Sequence, residues 1–191
     1  MPGKIDRSMV VVFFGLTGSG KSYLAKRWVA QWGYPYFNSD QVRKELAGVA
    51  AQSRHHVPFN EGLYSPDMTR RTYDEMINRA TAAFSNKAAG VVLDGSYGAE
   101  EQRRQVVDAF SSRRAIFFIY CHCQESVVRK RFQLRAADSQ AISDGRWDIY
   151  IGQKKKFAIP ERVNGASLLN LDTDEHSRAL ITRVDRFIKS S

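Results

Sequence analysis

A glycine-rich phosphate-binding motif between a strand and a helix constrains this chain more than any other feature. Residues 15–22 read Gly-Leu-Thr-Gly-Ser-Gly-Lys-Ser and match the pattern G-x-x-x-x-G-K-[ST] in full. The motif follows the apolar run 9–14, which is typical of a strand buried on both faces, and precedes a helical pattern over 21–32. By chance the fixed positions coincide in roughly one chain per hundred of this length, and the flanking strand and helix make chance rarer still.

Each fixed position of the motif has a physical role toward a phosphate. Gly15, Gly18 and Gly20 permit backbone conformations in which several N–H groups point at one anion, and the start of the following helix adds its positive dipole end. Lys21 reaches the β- and γ-phosphates, and the hydroxyl of Ser22 binds Mg²⁺. The predicted nucleotide-binding residues of this segment are Gly15, Leu16, Thr17, Gly18, Ser19, Gly20, Lys21, Ser22 and Tyr23.

Composition indicates a single globular domain over residues 1–191. The chain is 43% hydrophobic and 26% charged, and no apolar run approaches the ~20 residues of a membrane span. Two cysteines can form neither a disulfide framework nor a four-ligand zinc site. We therefore expect a cytoplasmic protein with no membrane partner, and the oligomeric state stays open. The net charge of +9 indicates anionic partners, namely phosphates, nucleotides or nucleic acid, without choosing among them.

Strand and helix patterns alternate along the chain, which predicts βαβ units and a parallel sheet with helices on both faces. The predicted strands are 9–14, 34–37, 91–93, 115–120 and 167–171. The predicted helices are 21–32, a helix capped by Ser39 or Asp40 that ends near Ala47, 68–87, 100–110, 125–135, 147–157 and 174–189. An irregular segment at about 49–67 and a polar segment at about 136–146 remain, and segments of this kind are often binding loops or lids.

Among proteins with such a loop, the sequence favours a small kinase. It contains no N/T-K-x-D segment, as a GTPase would have, and no L-S-G-G-Q signature of a transporter ATPase. A small kinase needs only the phosphate loop, an acceptor site after the second strand and a basic lid. Asp40 follows the second predicted strand, and two interpretations of it stay open: it accepts the proton of an acceptor hydroxyl, or it caps a helix.

Asp94 ends the predicted strand 91–93 and resembles the carboxylate of a Walker B strand, which holds Mg²⁺ directly or through water. The alternative is an aspartate in a turn with Gly95. The metal role is favoured, since the carboxyl ends of parallel strands meet at one sheet edge, and Ser96 then faces the acceptor. Arg131 and Arg135 share one face of a predicted helix, where arginine can stabilise charge on the transferring group.

Taken together, these residues resemble the AAA_33-type P-loop kinases, which are small zeta-toxin-like and polynucleotide-kinase-like kinases. The resemblance spans about 10–172, and the same module also occurs fused to aminoglycoside phosphotransferase-like domains. It is carried by the loop Gly15–Ser22, Ser39-Asp40 with Arg43-Lys44-Glu45-Leu46-Ala47-Gly48, Tyr64-Ser65, Val91-Val92-Leu93-Asp94-Gly95-Ser96, Arg131 with Arg135, Ser143-Asp144-Gly145-Arg146-Trp147, and Gln153 with Phe157.

The resemblance implies an α/β P-loop NTPase fold of the nucleoside-kinase-like type. This fold is a three-layer sandwich with a central five-stranded parallel sheet and a lid, here at about 136–146. It also implies ATP and Mg²⁺ as cofactors, Asp40 as acceptor base and Arg43 beside it as an acceptor contact. Arg131 and Arg135 would lie at or near the lid, and Asp172 would border the adenine.

The leading hypothesis is an ATP-dependent kinase that phosphorylates a hydroxyl of a small molecule, with Lys21, Asp40, Arg131 and Arg135 as catalytic residues. Substrate contacts come from Asp40, Arg43 and Ser96, and Mg²⁺ ligands from Ser22 and Asp94. One alternative is a 5′-hydroxyl polynucleotide kinase, ranked lower because the basic residues are spread over several helices. Another is a slow ATPase that acts as a nucleotide-dependent switch. The acceptor itself is not identified by the sequence.

Overall fold

Five parallel strands form the central sheet, as predicted. They are β1 (Met9–Phe14), β2 (Tyr36–Asn38), β3 (Gly90–Gly95), β4 (Ala115–His122) and β5 (Ser167–Asp172). Their order across the sheet is β2-β3-β1-β4-β5, and every neighbouring pair is parallel. The loop after β1 therefore leaves the middle of the sheet, where the carboxyl ends of the strands gather polar side chains.

The structure, a computed structural model, describes residues 8–50, 62–136, 147–174 and 176–191. The predicted lid, apart from Ala136, lies outside these residues, as do residues 51–61 of the predicted irregular segment. The side chain of Arg135 is also outside the described part of the chain.

Seven helices within the described residues cover the two faces of the sheet. They are α1 (Lys21–Trp32), α2 (Ser39–Leu46), α3 (Pro66–Ser85), α4 (Glu100–Phe110), α5 (Glu125–Ala136), α6 (Trp147–Lys156) and α7 (Ser177–Ser190), with a single 3₁₀ turn at Gly62–Tyr64. None of the helices in the described ranges is long and apolar enough to span a membrane.

Alternation along β1 divides the core into two layers. Val10, Val12 and Phe14 pack on the side of α3 and α4, whereas the residues between them pack with α1 and α7. All six residues of the strand are fully buried because it lies between β3 and β4 and is covered on both faces. This arrangement is the predicted three-layer α/β sandwich, and it explains why the run Met9–Phe14 has no polar face.

Several predicted boundaries need correction. The second strand ends at Asn38 rather than residue 37, and the cap of α2 is Asn38 rather than Ser39 or Asp40. The side-chain oxygen of Asn38 accepts from the backbone N–H groups of Asp40 and Gln41, both at 3.1 Å. The irregular segment ends earlier than predicted, because Ser65 caps α3 and Pro66 occupies its first turn.

Candidate active site

A cleft of about 280 Å³ opens at the carboxyl ends of β1, β2 and β3. It brings together residues that the sequence places far apart and that we predicted for one site. Those lining the cleft are Thr17, Gly18, Gly20, Lys21, Ser22, Asp40, Arg43 and Ser96. The nucleotide-binding loop and the predicted acceptor residues therefore face one space, which is the basic requirement for phosphoryl transfer between them.

The phosphate loop has a geometry that only glycine permits at its key positions. Gly15, Gly18 and Gly20 have φ values of +142°, +81° and +88°. A Cβ atom on Gly15 would lie 2.2 Å from the carbonyl oxygen of Cys121, and one on Gly18 would lie 2.6 Å from Val128 Cγ1. The glycines of the motif thus serve both the backbone turn and the close packing of the loop against β4 and α5.

Two contacts inside the cleft involve the groups that would meet a phosphate. The Lys21 ammonium donates to the carbonyl oxygen of Leu16 at 3.3 Å. The backbone N–H of Thr17 donates to Oε1 of Gln153 in α6 at 2.9 Å. The side chain of Gln153 therefore connects α6 to the loop, a role that no local pattern around Gln153 indicates.

Asp94 lies at the end of β3, fully buried, with one carboxylate oxygen paired and the other unpaired. Its Oδ2 accepts from the Tyr36 hydroxyl at 2.5 Å and from Nδ2 of Asn38 at 2.7 Å. Burial raises the pKa of Tyr36, and the neighbouring carboxylate raises it further, so the phenol remains a donor. Oδ1 has no hydrogen-bond partner among the described residues.

These oxygens fit a hard divalent cation. A buried carboxylate oxygen without a partner is costly, and binding a cation or its water shell removes that cost. Ser22, in the first turn of α1, lines the cleft, and its hydroxyl would supply a second oxygen. Oxygen donors of this type suit Mg²⁺, although the described residues contain no group of three or more His, Cys, Asp or Glu side chains that could hold a metal alone.

Asp40 and Arg43 form an ion pair at the acceptor side of the cleft. Arg43 Nη1 donates to Asp40 Oδ1 at 2.9 Å, and the side chains are 8% and 28% exposed, respectively. The Arg43 guanidinium lies over the Tyr64 ring at 5.0 Å, and its Nε has no hydrogen-bond partner among the described residues. Because Asn38 caps α2, the carboxylate of Asp40 is not used as the cap and faces the cleft.

Ser96 is held in the cleft by buried aromatic side chains. Its hydroxyl lies 2.9 Å from the Tyr73 hydroxyl, which also accepts from the backbone N–H of Tyr97 at 3.1 Å. Tyr97 has a φ of +42°, unusual for a bulky residue, and its carbonyl accepts from the buried Arg103 at 2.6 Å. Neither Tyr73 nor Arg103 has a motif around it, so their place at the site could not be predicted from the sequence.

Arg131 holds the phosphate loop against the end of β5. It donates to the carbonyl oxygen of Gly18 at 3.2 Å, and to the side chain and carbonyl oxygen of Thr173 at 3.1 and 2.6 Å. Of the other predicted nucleotide contacts, Tyr23 is 56% exposed and Asp172 accepts from the backbone N–H of Asp174 at 3.0 Å. Neither of these two lines the cleft.

Comparisons with known proteins agree with this geometry. The family model AAA_33, described as an AAA domain, matches residues 10–157, and no curated protein sequence matches the chain. The solved structure of a sugar kinase from Janibacter sp. HTCC2649 matches with a TM-score of 0.70 at 16% identity. The match covers 96% of this chain and 95% of the sugar kinase chain.

Two further solved structures are similar. A gluconokinase from Sinorhizobium meliloti 1021 has a TM-score of 0.66 at 17% identity, with 98% of this chain and 94% of its own covered. The APS kinase of Mycobacterium tuberculosis, in complex with AMPPNP and APS, has a TM-score of 0.62 at 17% identity, with 96% and 98% covered. At these identities the likeness establishes the fold, which is the one found in small P-loop kinases.

Proposed function

The chain belongs to the AAA_33 family of AAA domains, and on that basis we propose that it is an ATP-dependent kinase that phosphorylates a hydroxyl group of a small molecule. The observation that carries the proposal is that Asp40 and the phosphate loop line one cleft. A sugar kinase, a gluconokinase and an APS kinase share the fold, which supports a small-molecule acceptor. A cytoplasmic location, where ATP is plentiful, goes with the proposal.

The nucleotide side of the cleft suits the phosphates of ATP, and the AMPPNP complex of the similar APS kinase supports this choice. The loop N–H groups and Lys21 bind the β- and γ-phosphates. Ser22 and Asp94 hold Mg²⁺, which when bound offsets the charge of those phosphates. Arg131 keeps the loop in place and adds positive charge beside it. Arg135 is proposed to act with Arg131 in stabilising charge on the transferring group, and Tyr23 and Asp172 to contact the nucleotide, with Asp172 at the adenine.

On the acceptor side, Asp40 is the general base. Its carboxylate takes the proton of the acceptor hydroxyl as that oxygen forms a bond to the γ-phosphorus, while the bond from the γ-phosphorus to the bridging oxygen of ADP breaks. Arg43 orients the Asp40 carboxylate through their 2.9 Å ion pair, and its unpartnered Nε can bind the acceptor. Ser96 also lines the cleft, and its hydroxyl contacts the acceptor.

The proposal is tested by transfer of the γ-phosphate from labelled ATP with Mg²⁺. Wild type is compared with Asp40→Asn and with the matched control Asp67→Asn, since Asp67 is 65% exposed and does not line the cleft. The acceptors are a fractionated cytosolic metabolite extract and, separately, a 5′-hydroxyl oligonucleotide. We expect a labelled metabolite whose formation falls about 10²- to 10⁴-fold in Asp40→Asn and is unchanged in the control.

Two outcomes would replace this function with another. Label on the oligonucleotide, with affinity that falls steeply and log-linearly as salt is added, would favour the polynucleotide kinase. Label released only as free phosphate, at equal rates in wild type and Asp40→Asn, would exclude Asp40 as base and favour the nucleotide-dependent switch.

A further inference from the structure

A second cavity, of about 420 Å³, lies behind the phosphate loop, and α6 separates it from the cleft. Ile149, Gln153 and Lys156 of α6 line the cleft, whereas Tyr150 and Lys154 line the second cavity. Phe157, which follows α6, lines both. The volume lies within the range of about 300–1,000 Å³ typical of small-molecule sites. Apart from Leu16 and Ser19 of the phosphate loop, none of the described residues that line the second cavity has a role in the proposed kinase function.

Aromatic side chains form much of the cavity wall. Tyr120 is stacked on Phe157 at 5.6 Å between ring centroids, and lies 5.4 Å from the ring of His122. Tyr150 also lines the cavity and stacks on Trp147 at 5.0 Å between ring centroids. Walls of this kind bind flat rings by stacking and edge contacts.

Ser19 and Asn170 add polar groups to the cavity wall, and the first of them is buried without a partner among the described residues. Ser19 is 2% exposed, and its hydroxyl makes no hydrogen bond among the described residues. It lines this cavity and not the cleft, so the loop presents Thr17, Gly18 and Gly20 to one side and Leu16 and Ser19 to the other. Asn170 of β5 exposes its amide to the same cavity. A buried hydroxyl without a partner is unfavourable, and a ligand with a polar edge would satisfy it.

The Asp, Glu, Lys and Arg side chains that line the cavity are Glu125 and Lys154, and they form an ion pair: Lys154 Nζ donates to Glu125 Oε2 at 3.0 Å. Each of these two charges is therefore already paired, which favours a ligand without a net charge. The amide of Asn170 both donates and accepts, which suits the alternating donors and acceptors at the edge of a heteroaromatic ring.

We propose that this cavity is a binding site for a neutral, planar heteroaromatic compound of nucleoside size, and that its occupancy changes the affinity of the phosphate loop for nucleotide. The coupling follows from shared walls. Leu16 and Ser19 belong to the loop itself, and α6 reaches the loop through the 2.9 Å hydrogen bond from Thr17 to Gln153. By linkage, a ligand that alters nucleotide affinity has its own affinity altered by the same factor.

The binding test uses ligand-observed saturation-transfer NMR with adenosine, uridine and indole as probes and ribose as a non-aromatic control. The protein is first saturated with Mg–AMPPNP, so that the nucleotide site is blocked. Asn170→Phe fills the cavity, and Asn170→Leu keeps the size of the side chain while removing its polar edge. Asn78→Phe places the same ring on an exposed position of α3 that lines neither cavity. Circular dichroism checks that each variant is folded.

We expect at least one aromatic probe, and not ribose, to bind the AMPPNP-loaded wild type. Its affinity should fall at least tenfold in Asn170→Phe and at least threefold in Asn170→Leu, and should not change in Asn78→Phe. The same probe should change the Kd of AMPPNP at least threefold in wild type and not in Asn170→Phe. Absence of binding to the loaded protein, equal binding by both Asn170 variants and wild type, or an unchanged Kd of AMPPNP would overturn the proposal.

Discussion

The Asn38 side chain connects the helix that carries the proposed base to the carboxylate proposed to hold the metal. Its amide nitrogen donates to Asp94 Oδ2 at 2.7 Å, while its oxygen accepts from the first N–H groups of α2. Asn38 and Asp94 lie opposite each other on the neighbouring parallel strands β2 and β3. One asparagine therefore sets the position of Asp40 relative to Asp94, because both of its polar atoms are used at once.

Replacing Asn38 tests this connection. Asn38→Ala removes the helix cap, worth about 1 kcal/mol, and a hydrogen bond to a buried carboxylate, worth about 1–3 kcal/mol. We expect the free energy of unfolding in urea to fall by about 2–4 kcal/mol. Asn78→Ala, at an exposed position inside α3, is the matched control and should change stability by less than about 1 kcal/mol, since alanine favours helix. Equal effects of the two changes would contradict this role of Asn38.

Asn38→Asp should make stability depend on pH in a defined direction. The new carboxylate keeps a capping oxygen but faces Asp94, so repulsion raises the pKa of the pair in the folded state. A raised folded-state pKa stabilises the protein at low pH, and this contribution is lost as the pH rises. Without Mg²⁺, the free energy of unfolding of Asn38→Asp should therefore lie further below that of wild type at pH 8 than at pH 5. A difference that does not vary with pH would argue against close contact between the two side chains.

Arg131 is expected to support nucleotide binding by holding the phosphate loop. Arg131→Ala removes hydrogen bonds from a charged donor to Gly18 and Thr173, so the protein should lose about 2–3 kcal/mol of stability and at least tenfold in AMPPNP affinity. Arg131→Lys should recover only part of either loss, because an ammonium cannot reproduce the forked guanidinium. The exposed neighbour Lys130, changed to Ala, should have an effect of less than about 0.5 kcal/mol. Calorimetric titration and urea unfolding measure both quantities, and equal AMPPNP affinity in Arg131→Ala and Lys130→Ala would refute the role.

Gly15→Ala should be far more damaging than another substitution at a glycine with positive φ. The new methyl group would meet the carbonyl oxygen of Cys121 at 2.2 Å, and this oxygen can shift little because it belongs to the backbone of β4. Strain and overpacking together should cost about 3 kcal/mol or more. Gly48→Ala is the control, since Gly48 has a φ of +67° with no atom within 4 Å of the added Cβ, and should cost about 1–2 kcal/mol. Thermal unfolding of both variants provides the comparison, and a smaller loss at Gly15 would show that the loop relaxes.

Tyr73→Phe tests how Ser96 is positioned. Loss of the hydroxyl leaves the buried N–H of Tyr97 without its acceptor, which should cost about 1–3 kcal/mol in unfolding experiments. AMPPNP affinity should remain, because Tyr73 does not line the cleft. Tyr34→Phe is the control: the Tyr34 ring packs on Trp32, and its hydroxyl makes no hydrogen bond within the described residues. An equally small change in the free energy of unfolding of both variants would mean that the Tyr73 hydroxyl does not hold the backbone at Ser96 and Tyr97.

Local patterns in the sequence were sufficient for the fold class and for the conformation of the phosphate loop. The run Met9–Phe14, the glycine-rich loop and the carboxylate near the end of β3 each lie within a few consecutive residues, so their conformation and burial follow from residue type and spacing. The sequence identifies Asn38 as a candidate helix cap, since asparagine is preferred there, but the adjacent Ser39 and Asp40 are equally good caps. Only packing of β2 against β3 distinguishes them, because Asn38 alone also reaches Asp94.

The remaining features depend on contacts between distant parts of the chain. The phosphate loop was determined by the sequence itself, since a strand, three glycines and a helix start form one continuous segment. The tertiary structure decided what surrounds that segment: Thr17 meets Gln153 across 136 residues, and Arg131 meets Gly18 across 113. The second cavity likewise exists only where β4, β5 and α6 come together. No local periodicity predicts such pairings, because they depend on how the helices and strands pack rather than on the conformation of any one of them.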